Sequence, residues 1–326
     1  MTRVDLIIPT YNGSQLLRTC LHSLTASTLS DFHLTVFDDA STEPVEAVTK
    51  SVFPDAAVIR SEVNIGLSQG FNLAIESGIA EFVVLLNNDT EVTPTWLAEL
   101  VACADRHAEA GSVASKLRLL SDRTRLHAAG DYYSVRGMPG NRGVWMEDVG
   151  QFDREEPVFS ACGGAALYRR SALNAVRRAN GQIFDERLFM YCEDVDLGWR
   201  LQRQGWPCVY APRAVVYHAL SATGGGSLAS YYVTRNAWLV IARSIPCGVL
   251  APYFRRVAAY HAGRVFRALR HIREPSARAT LRGTCAGIGM SAFALLCRDR
   301  SAVSEQEKQR LRALLWESRP SSMAGE

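Results

Sequence analysis

The stretch Phe82-Val83-Val84-Leu85-Leu86-Asn87-Asn88-Asp89 decides the fold. Five apolar residues without alternation describe a strand covered on both faces, and the polar trio ends it abruptly. The same punctuation recurs upstream. Val4–Pro9 is a near-continuous apolar run followed by Thr10-Tyr11-Asn12, Leu34–Phe37 runs into Asp38-Asp39, and Ala57–Arg60 reads as a further strand. Helical spacings lie between them: Leu17, Cys20, Leu21 and Leu24 within Leu16–Leu24, then Val45–Val52, then Phe71, Ala74 and Ile75 within Gly66–Gly78. This alternation predicts an α/β fold, a mainly parallel central sheet flanked by helices. Ligands of such sheets bind beyond the carboxyl ends of the strands, where the three polar clusters fall.

Beyond about residue 120 the pattern loosens. Val158–Ser160, Cys208–Ala211 and Val215–Tyr217 are β-like, Val195–Gln204 is helical, and Gly224-Gly225-Gly226 is the most permissive backbone in the chain. After about residue 230 strand signals stop and the rest reads helical. Residues 251–300 hold ten Lys/Arg against two acids, a net +8, so the remainder carries −5 of the formal +3. Phe254, Ala258, His261, Val265, Leu269 and Ile272 form an apolar stripe, with Arg256, Arg264, Arg267 and Arg270 largely away from it. A basic amphipathic helix of this kind suits an anionic membrane surface. It suits equally a helix packed on the preceding domain with its arginines in water. Gly283–Cys297 is shorter than the ~20 apolar residues a membrane span needs and reads as a buried or interfacial helix. Ser304 with Glu307 forms a capping box that opens a last helix through Leu311, Leu314 and Leu315.

At 326 residues, 48% hydrophobic and 21% charged, the chain is globular rather than disordered or fibrous. A charge of +3 is too weak to indicate nucleic acid. The N-terminus lacks the long apolar stretch of a signal peptide. The eight cysteines are scattered, without a CxxC pair or a histidine at metal spacing, which suits reduced thiols used as small apolar residues. No GxGxxG follows the first strand, and GxxxxGK[ST] and GxSxG are absent, which counts against a nicotinamide dehydrogenase, a P-loop NTPase and an α/β-hydrolase.

Three acidic clusters could carry chemistry. Asp38-Asp39 is either turn chemistry or a carboxylate placed to accept hydrogen bonds from a base or ribose. Asn87-Asn88-Asp89 is a turn or an oxygen-rich site for Mg²⁺ or Mn²⁺, with Asp89 as its only charge. Glu193-Asp194-Val195-Asp196 opens a helix, where one or two acids favour the macrodipole; two adjacent carboxylates could also supply a general base. His218 ends the run Val215–Tyr217, as a structural residue or a metal ligand.

Taken together, these pieces resemble the inverting family 2 glycosyltransferases of GT-A fold. The matching motifs are Ile7–Gly13, Phe37–Ser41, Asn64–Ser68 with Gly70-Phe71-Asn72, Leu85–Thr90, Cys162–Ala165, and Phe184-Asp185-Glu186 through Tyr191–Arg200, ending at His218. They fall in order over about 220 residues, and order is what single motifs lack. The resemblance implies a GT-A catalytic domain over 1–230, its nucleotide-sugar half at about 1–120 and its acceptor half at 121–230, with a basic helical region over 231–326.

It also implies roles. Pro9, Thr10, Tyr11, Asn12, Asp38 and Asp39 would bind the donor nucleoside, Asn64, Gly66 and Asn72 would shape the adjoining loop and helix, and Asn87 and Asn88 would stand in the DxD position. Asp89 and His218 would hold Mg²⁺ or Mn²⁺. Asp194 would be the catalytic base beside Glu193, with Cys162, Gly163, Gly164, Trp199 and Arg200 at the acceptor side, and Ser221–Ser227 would close over the donor. The branch resembled is that of rhamnosyltransferases of bacterial cell-envelope glycans. That implies dTDP-L-rhamnose as donor, with UDP- or GDP-sugars or a non-catalytic sugar-nucleotide-binding protein as alternatives. It further implies a glycan or lipid-linked saccharide acceptor, no nucleic-acid partner, and a cytoplasmic enzyme peripheral at the inner face of the cell membrane.

Overall fold

The computed structural model describes residues 2–219, 225–296 and 303–317, with the side chains of 293–296 set aside. Of the expected closing loop Ser221–Ser227, residues 221–224 lie outside the described residues. The first half alternates as expected: β1 (Val4–Thr10), α1 (Ser14–Leu24), β2 (Phe32–Asp39), α2 (Val45–Val52), β3 (Ala57–Ser61), α3 (Leu67–Glu76) and β4 (Phe82–Leu86). Then come β5 (Thr90–Val92), α4 (Trp96–Arg106), β6 (Ser112–Leu119), β7 (Leu126–Ala129), β8 (Asp131–Ser134), β9 (Pro139–Asn141), β10 (Glu156–Val158), β11 (Ala165–Arg169) and α5 (Arg170–Ala175). The chain continues through α6 (Glu193–Arg203), β12 (Cys208–His218), α7 (Gly226–Arg243), α8 (Phe254–Arg270), α9 (Pro275–Leu296), α10 (Glu305–Ala313) and β13 (Leu315–Trp316).

The main sheet runs β10-β12-β6-β11-β4-β1-β2-β3. β3, β2, β1 and β4 are parallel; β11 is antiparallel to both β4 and β6, so β6, and β12 parallel to it, share the direction of β4. Both faces are covered, which explains the unbroken apolar runs. Leu6, Ile8, Val84 and Leu86 pack under α1, α2 and α4, while Ile7, Val83 and Leu85 pack with Phe71, Leu173 and Leu197 on the other side. The two β-like runs at 208–211 and 215–217 are one strand, β12, with an irregularity between Ala211 and Val215.

Three expectations about the C-terminal region change. Strands do not stop: Leu315–Trp316 pairs in parallel with β8, and Trp316 stacks on Tyr132 with ring centroids 4.6 Å apart. The Ser304 hydroxyl accepts from Glu307 N–H as the capping box requires, but α10 ends at Ala313, because Leu315 is buried in the strand rather than on a helix. The apolar stripe of α8 is not its buried face. His261 and Ala268 are buried, whereas Phe254, Phe266 and Leu269 are 70%, 61% and 55% exposed. Two contacts hold this rotation: the His261 and Trp238 ring centroids lie 4.4 Å apart, and Arg264, expected outward, donates to Thr234 Oγ1 at 2.7 Å. α9 lies against α7 through small residues; a Cβ on Gly283 would sit 2.5 Å from the Tyr231 carbonyl oxygen. No described helix is long and apolar enough to cross a membrane.

Candidate active site

The carboxyl ends of β1, β2, β4 and β12 converge on a cleft of about 470 Å³. β11 enters antiparallel, so it is its start, after Cys162-Gly163-Gly164, that reaches the same edge. The short β5 pairs with the end of β12 in a register that sets His218 opposite Thr90, and so beside Asp89. The cleft brings together Pro9, Thr10, Tyr11, Asp39, Asn64, Gly66, Asn87, Asn88, Asp89, Cys162, Gly163, Gly164, Glu193, Asp194 and His218.

Five expected residues stay outside it. Asn12 accepts from Thr42 N–H at 2.9 Å and fastens the loop. Asp38 is buried against Arg60 and Ser41 N–H. Asn72 bonds both N–H and C=O of Phe184, tying α3 to that loop. Trp199 sits in the core against Tyr133 and Phe159. Arg200 donates to Asp196 and to the carbonyls of Val176 and Ile183. Each belongs to a motif that also contains cleft residues; in a helix, neighbours in sequence face different ways.

Asp39 spends its two oxygens on Ile65 and Gly66 N–H at 2.7 and 2.9 Å, and burial raises its pKa. It thereby fixes the loop that forms one wall. Gly66 is obligatory there: its φ is +83°, and a Cβ would lie 2.4 Å from the Phe189 ring. Tyr11, 51% exposed, offers an aromatic face at the mouth. Asn88 Nδ2 donates to Thr10 Oγ1 at 2.8 Å.

Asp89 and His218 are both buried, with Oδ1 and Nε2 2.9 Å apart. Adjacent ligands of an octahedral ion with ~2.1 Å bonds lie about 3.0 Å apart, so the pair fits one divalent ion, and an oxygen–imidazole donor set suits Mg²⁺ or Mn²⁺. The sequence reading missed His127. Its Nδ1 lies 3.0 Å from His218 Nδ1, and burial, then His218, drive its pKa down to about 3. A neutral His127 can accept the His218 Nδ1 proton and leave Nε2 free as a ligand, filling the place that a carboxylate, carbonyl or water commonly takes behind a metal-binding imidazole.

A second missed residue is Asp131, buried at the start of β8 and facing the cleft. Burial and then Asp194 push it well above the carboxylate range. Asp194 accepts from Gly163 and Val195 N–H, both at 2.7 Å, while Glu193 Oε2 has no hydrogen-bond partner among the described residues. Burial raises both members of this adjacent pair. The amides stabilise the anion on Asp194 alone, so the proton resides on Glu193. Asp196, by contrast, is held far below its usual range, against the cost of its burial, by Arg178 and Arg200 and is a structural anchor.

Glu193 is pushed up to about 8 from 4.5. Between those values the folded chain keeps a proton that the unfolded chain releases, so stability falls as pH rises and levels off above about 8. Glu193→Gln removes this penalty. The variant is expected to melt higher than the wild type near about pH 9 and to converge with it toward about pH 4.5. A melting curve at high pH no better than the wild type's would refute the assignment.

The approach to α6 is strained: Phe189, Tyr191 and Cys192 all have φ between 62° and 66°. Asn236 on α7 holds it, its Nδ2 lying 2.7–2.9 Å from the carbonyls of Leu188, Met190 and Tyr191, with Arg235 on Arg187 and Leu188. Asn236→Ala should cost about 1–3 kcal/mol through unpaired buried carbonyls. Denaturant midpoints and turnover measured together should both fall; unchanged values would deny the loop this support.

Away from the cleft, Cys103 and His107 are one turn apart and meet Glu155, their ligand atoms within 4.8 Å of one another. The sequence reading passed over that spacing. Glu155 is already engaged by Arg106. The seven described cysteines are all free thiols.

A mainly parallel α/β sheet with flanking helices and a cleft at its carboxyl edge is the architecture of GT-A glycosyltransferases. The model of glycosyl transferase family 2 matches residues 5–177, and the chain belongs to that family. It is 28% identical over 254 residues to the N-acetylglucosaminyl-diphospho-decaprenol L-rhamnosyltransferase of Mycobacterium tuberculosis, covering 72% of this chain and 81% of that one. Its fold is similar to that of S. aureus TarS (TM-score 0.54, 17% identity, 79% of this chain), of which it spans only 43%. It is also similar to that of the mannosyltransferase PcManGT from Pyrobaculum calidifontis, solved with GDP-Man and Mn²⁺ (TM-score 0.50, 17% identity, 95% of this chain and 79% of that one). The chain is therefore a glycosyltransferase.

Proposed function

We propose that this glycosyltransferase moves a sugar, with inversion, from a nucleoside diphosphate donor to a hydroxyl of a lipid-linked saccharide in bacterial cell-envelope synthesis. The observation that carries the reading is one cleft holding both a metal-competent Asp89–His218 pair and an amide-stabilised Asp194. The rhamnosyltransferase relative favours dTDP-L-rhamnose as donor over a UDP- or GDP-sugar. A divalent ion held by Asp89 and His218 would neutralise charge developing on the departing diphosphate. Tyr11 stacks on the base, and Thr10 and Asn88 border the sugar-diphosphate.

Asp194 takes the proton of the acceptor hydroxyl as that oxygen bonds to the anomeric carbon and the carbon–oxygen bond to the diphosphate breaks. A single displacement inverts the configuration and needs no enzyme nucleophile. Protonated Glu193 and Asp131 keep competing negative charge away from that base.

Residues 1–230 act as the catalytic domain, and the following helices bring it to the inner face of the membrane. The outward face of α8 supports this reading, since Phe254, Phe266 and Leu269 emerge among Arg255, Arg267 and Arg270. Apolar groups inserted beneath a ring of cations suit an anionic bilayer surface.

Thermal shifts with dTDP-, UDP- and GDP-sugars and Mn²⁺ test the donor. The matching nucleotide at 100 times its Kd should add about 2.7 kcal/mol of stability. A panel in which no nucleotide stabilises the protein would refute the reading.

A further inference from the structure

A second cavity, of about 430 Å³, lies between the first turns of α7 and α9. Ser227, Tyr231 and Tyr232 form one side, and Arg278 and Arg282 the other. The two arginines are one helical turn apart, where like charges repel. Other arginines nearby are spent on protein groups: Arg235 on carbonyls, Arg264 on Thr234 and Arg243 beside Asp185. Arg282 has no hydrogen-bond or ion-pair partner among the described residues. Arg278 gives Nη1 to the carbonyls of Ile272 and Arg273, and its guanidinium makes no other hydrogen bond among the described residues. No acid lines the cavity, and Glu274, the only acid in residues 226–296, is bonded to His271. A cavity lined by two guanidinium forks and no carboxylate is complementary to phosphoryl oxygens.

Its position relates it to the catalytic cleft. Tyr232 stacks on Phe189, ring centroids 5.3 Å apart, and Phe189 lines the cleft; so does Val233, the next residue of α7. On the other side, α9 follows directly from α8 with its exposed apolar and arginine face. We propose that this cavity binds the diphosphate of the lipid-linked acceptor, placing the saccharide toward Asp194 and the lipid toward α8. This rests on the glycosyl-transfer reading above and names the feature of the acceptor that the protein grips.

The test has two arms. In the first, geranyl diphosphate is titrated in EDTA, which silences any metal-dependent binding in the cleft, into the wild type, the Arg278→Gln/Arg282→Gln variant and Asp89→Ala. The double variant should lose affinity at least about tenfold and Asp89→Ala should keep it. Equal affinity of the wild type and the double variant, or displacement of geranyl diphosphate by nucleoside diphosphates, would overturn the proposal. In the second arm, the acceptor saccharide is presented on a lipid diphosphate and on an uncharged octyl group. The double variant should show a KM raised about tenfold for the first only, with donor KM unchanged. Binding lost without any change in the KM of the diphosphate acceptor would overturn its assignment to the acceptor, while donor-dependent transfer in the same assays reports separately on the glycosyltransferase reading.

Discussion

Asp194→Asn is expected to lower kcat about 10³-fold while leaving the donor Kd within a few-fold of the wild type. The carboxylate is the group placed to accept a proton, and its anion is maintained by two amide donors, Gly163 and Val195, at 2.7 Å. An amide of the same shape satisfies one of these with its oxygen and turns its NH₂ toward the other, so about 1–3 kcal/mol of stability should be lost as well. That cost is measured by denaturation and is separable from chemistry, since a less stable but folded variant still binds donor. Retention of more than a tenth of wild-type kcat in the folded variant would remove Asp194 from the role of base.

Asp89→Ala should be nearly as damaging, by a different route. It removes the only carboxylate of the Asn87-Asn88-Asp89 turn, leaving the neutral imidazole of the Asp89–His218 pair. Loss of one anionic ligand should reduce kcat/KM by about 10²-fold or more and abolish the extra thermal stabilisation that Mn²⁺ gives the nucleotide complex. Stabilisation by nucleotide that remains equally Mn²⁺-dependent in the variant would place the ion elsewhere. Asn87 in the first position of the motif is thus compatible with an ion held chiefly from Asp89 and His218.

Much of this was legible in the chain, and what was not has identifiable causes. Val45–Val52 and Phe82–Leu86 were exact because local signals, a helical period and a buried apolar run, coincide there with the elements. Asp89, His218 and Asp194 could be placed at the cleft because each ends or begins such an element. His127 and Asp131 could not, since β7 and β8 are four residues long and owe their existence to pairing with β6 and β9 rather than to their own pattern. A histidine and an aspartate four apart in the otherwise apolar Leu126–Tyr133 were the available signal. Asn12, Asp38, Asn72, Trp199 and Arg200 lie outside the cleft lining for the opposite reason: a motif in one dimension does not say which of its side chains turn inward. The stripe of α8 left two readings open because hydrophobic periodicity locates an apolar face without saying what covers it.

The two-residue strand Leu315–Trp316 bears on how the enzyme is made. It completes the small sheet in which β8 starts at Asp131 and β9 contributes Pro139, Gly140 and Asn141 to the cleft. One wall of the cleft is therefore fastened by a segment that the chain supplies only after the main sheet is complete. Contacts so distant in sequence cost loop-closure entropy before they contribute, so this wall should be among the last parts of the fold to consolidate.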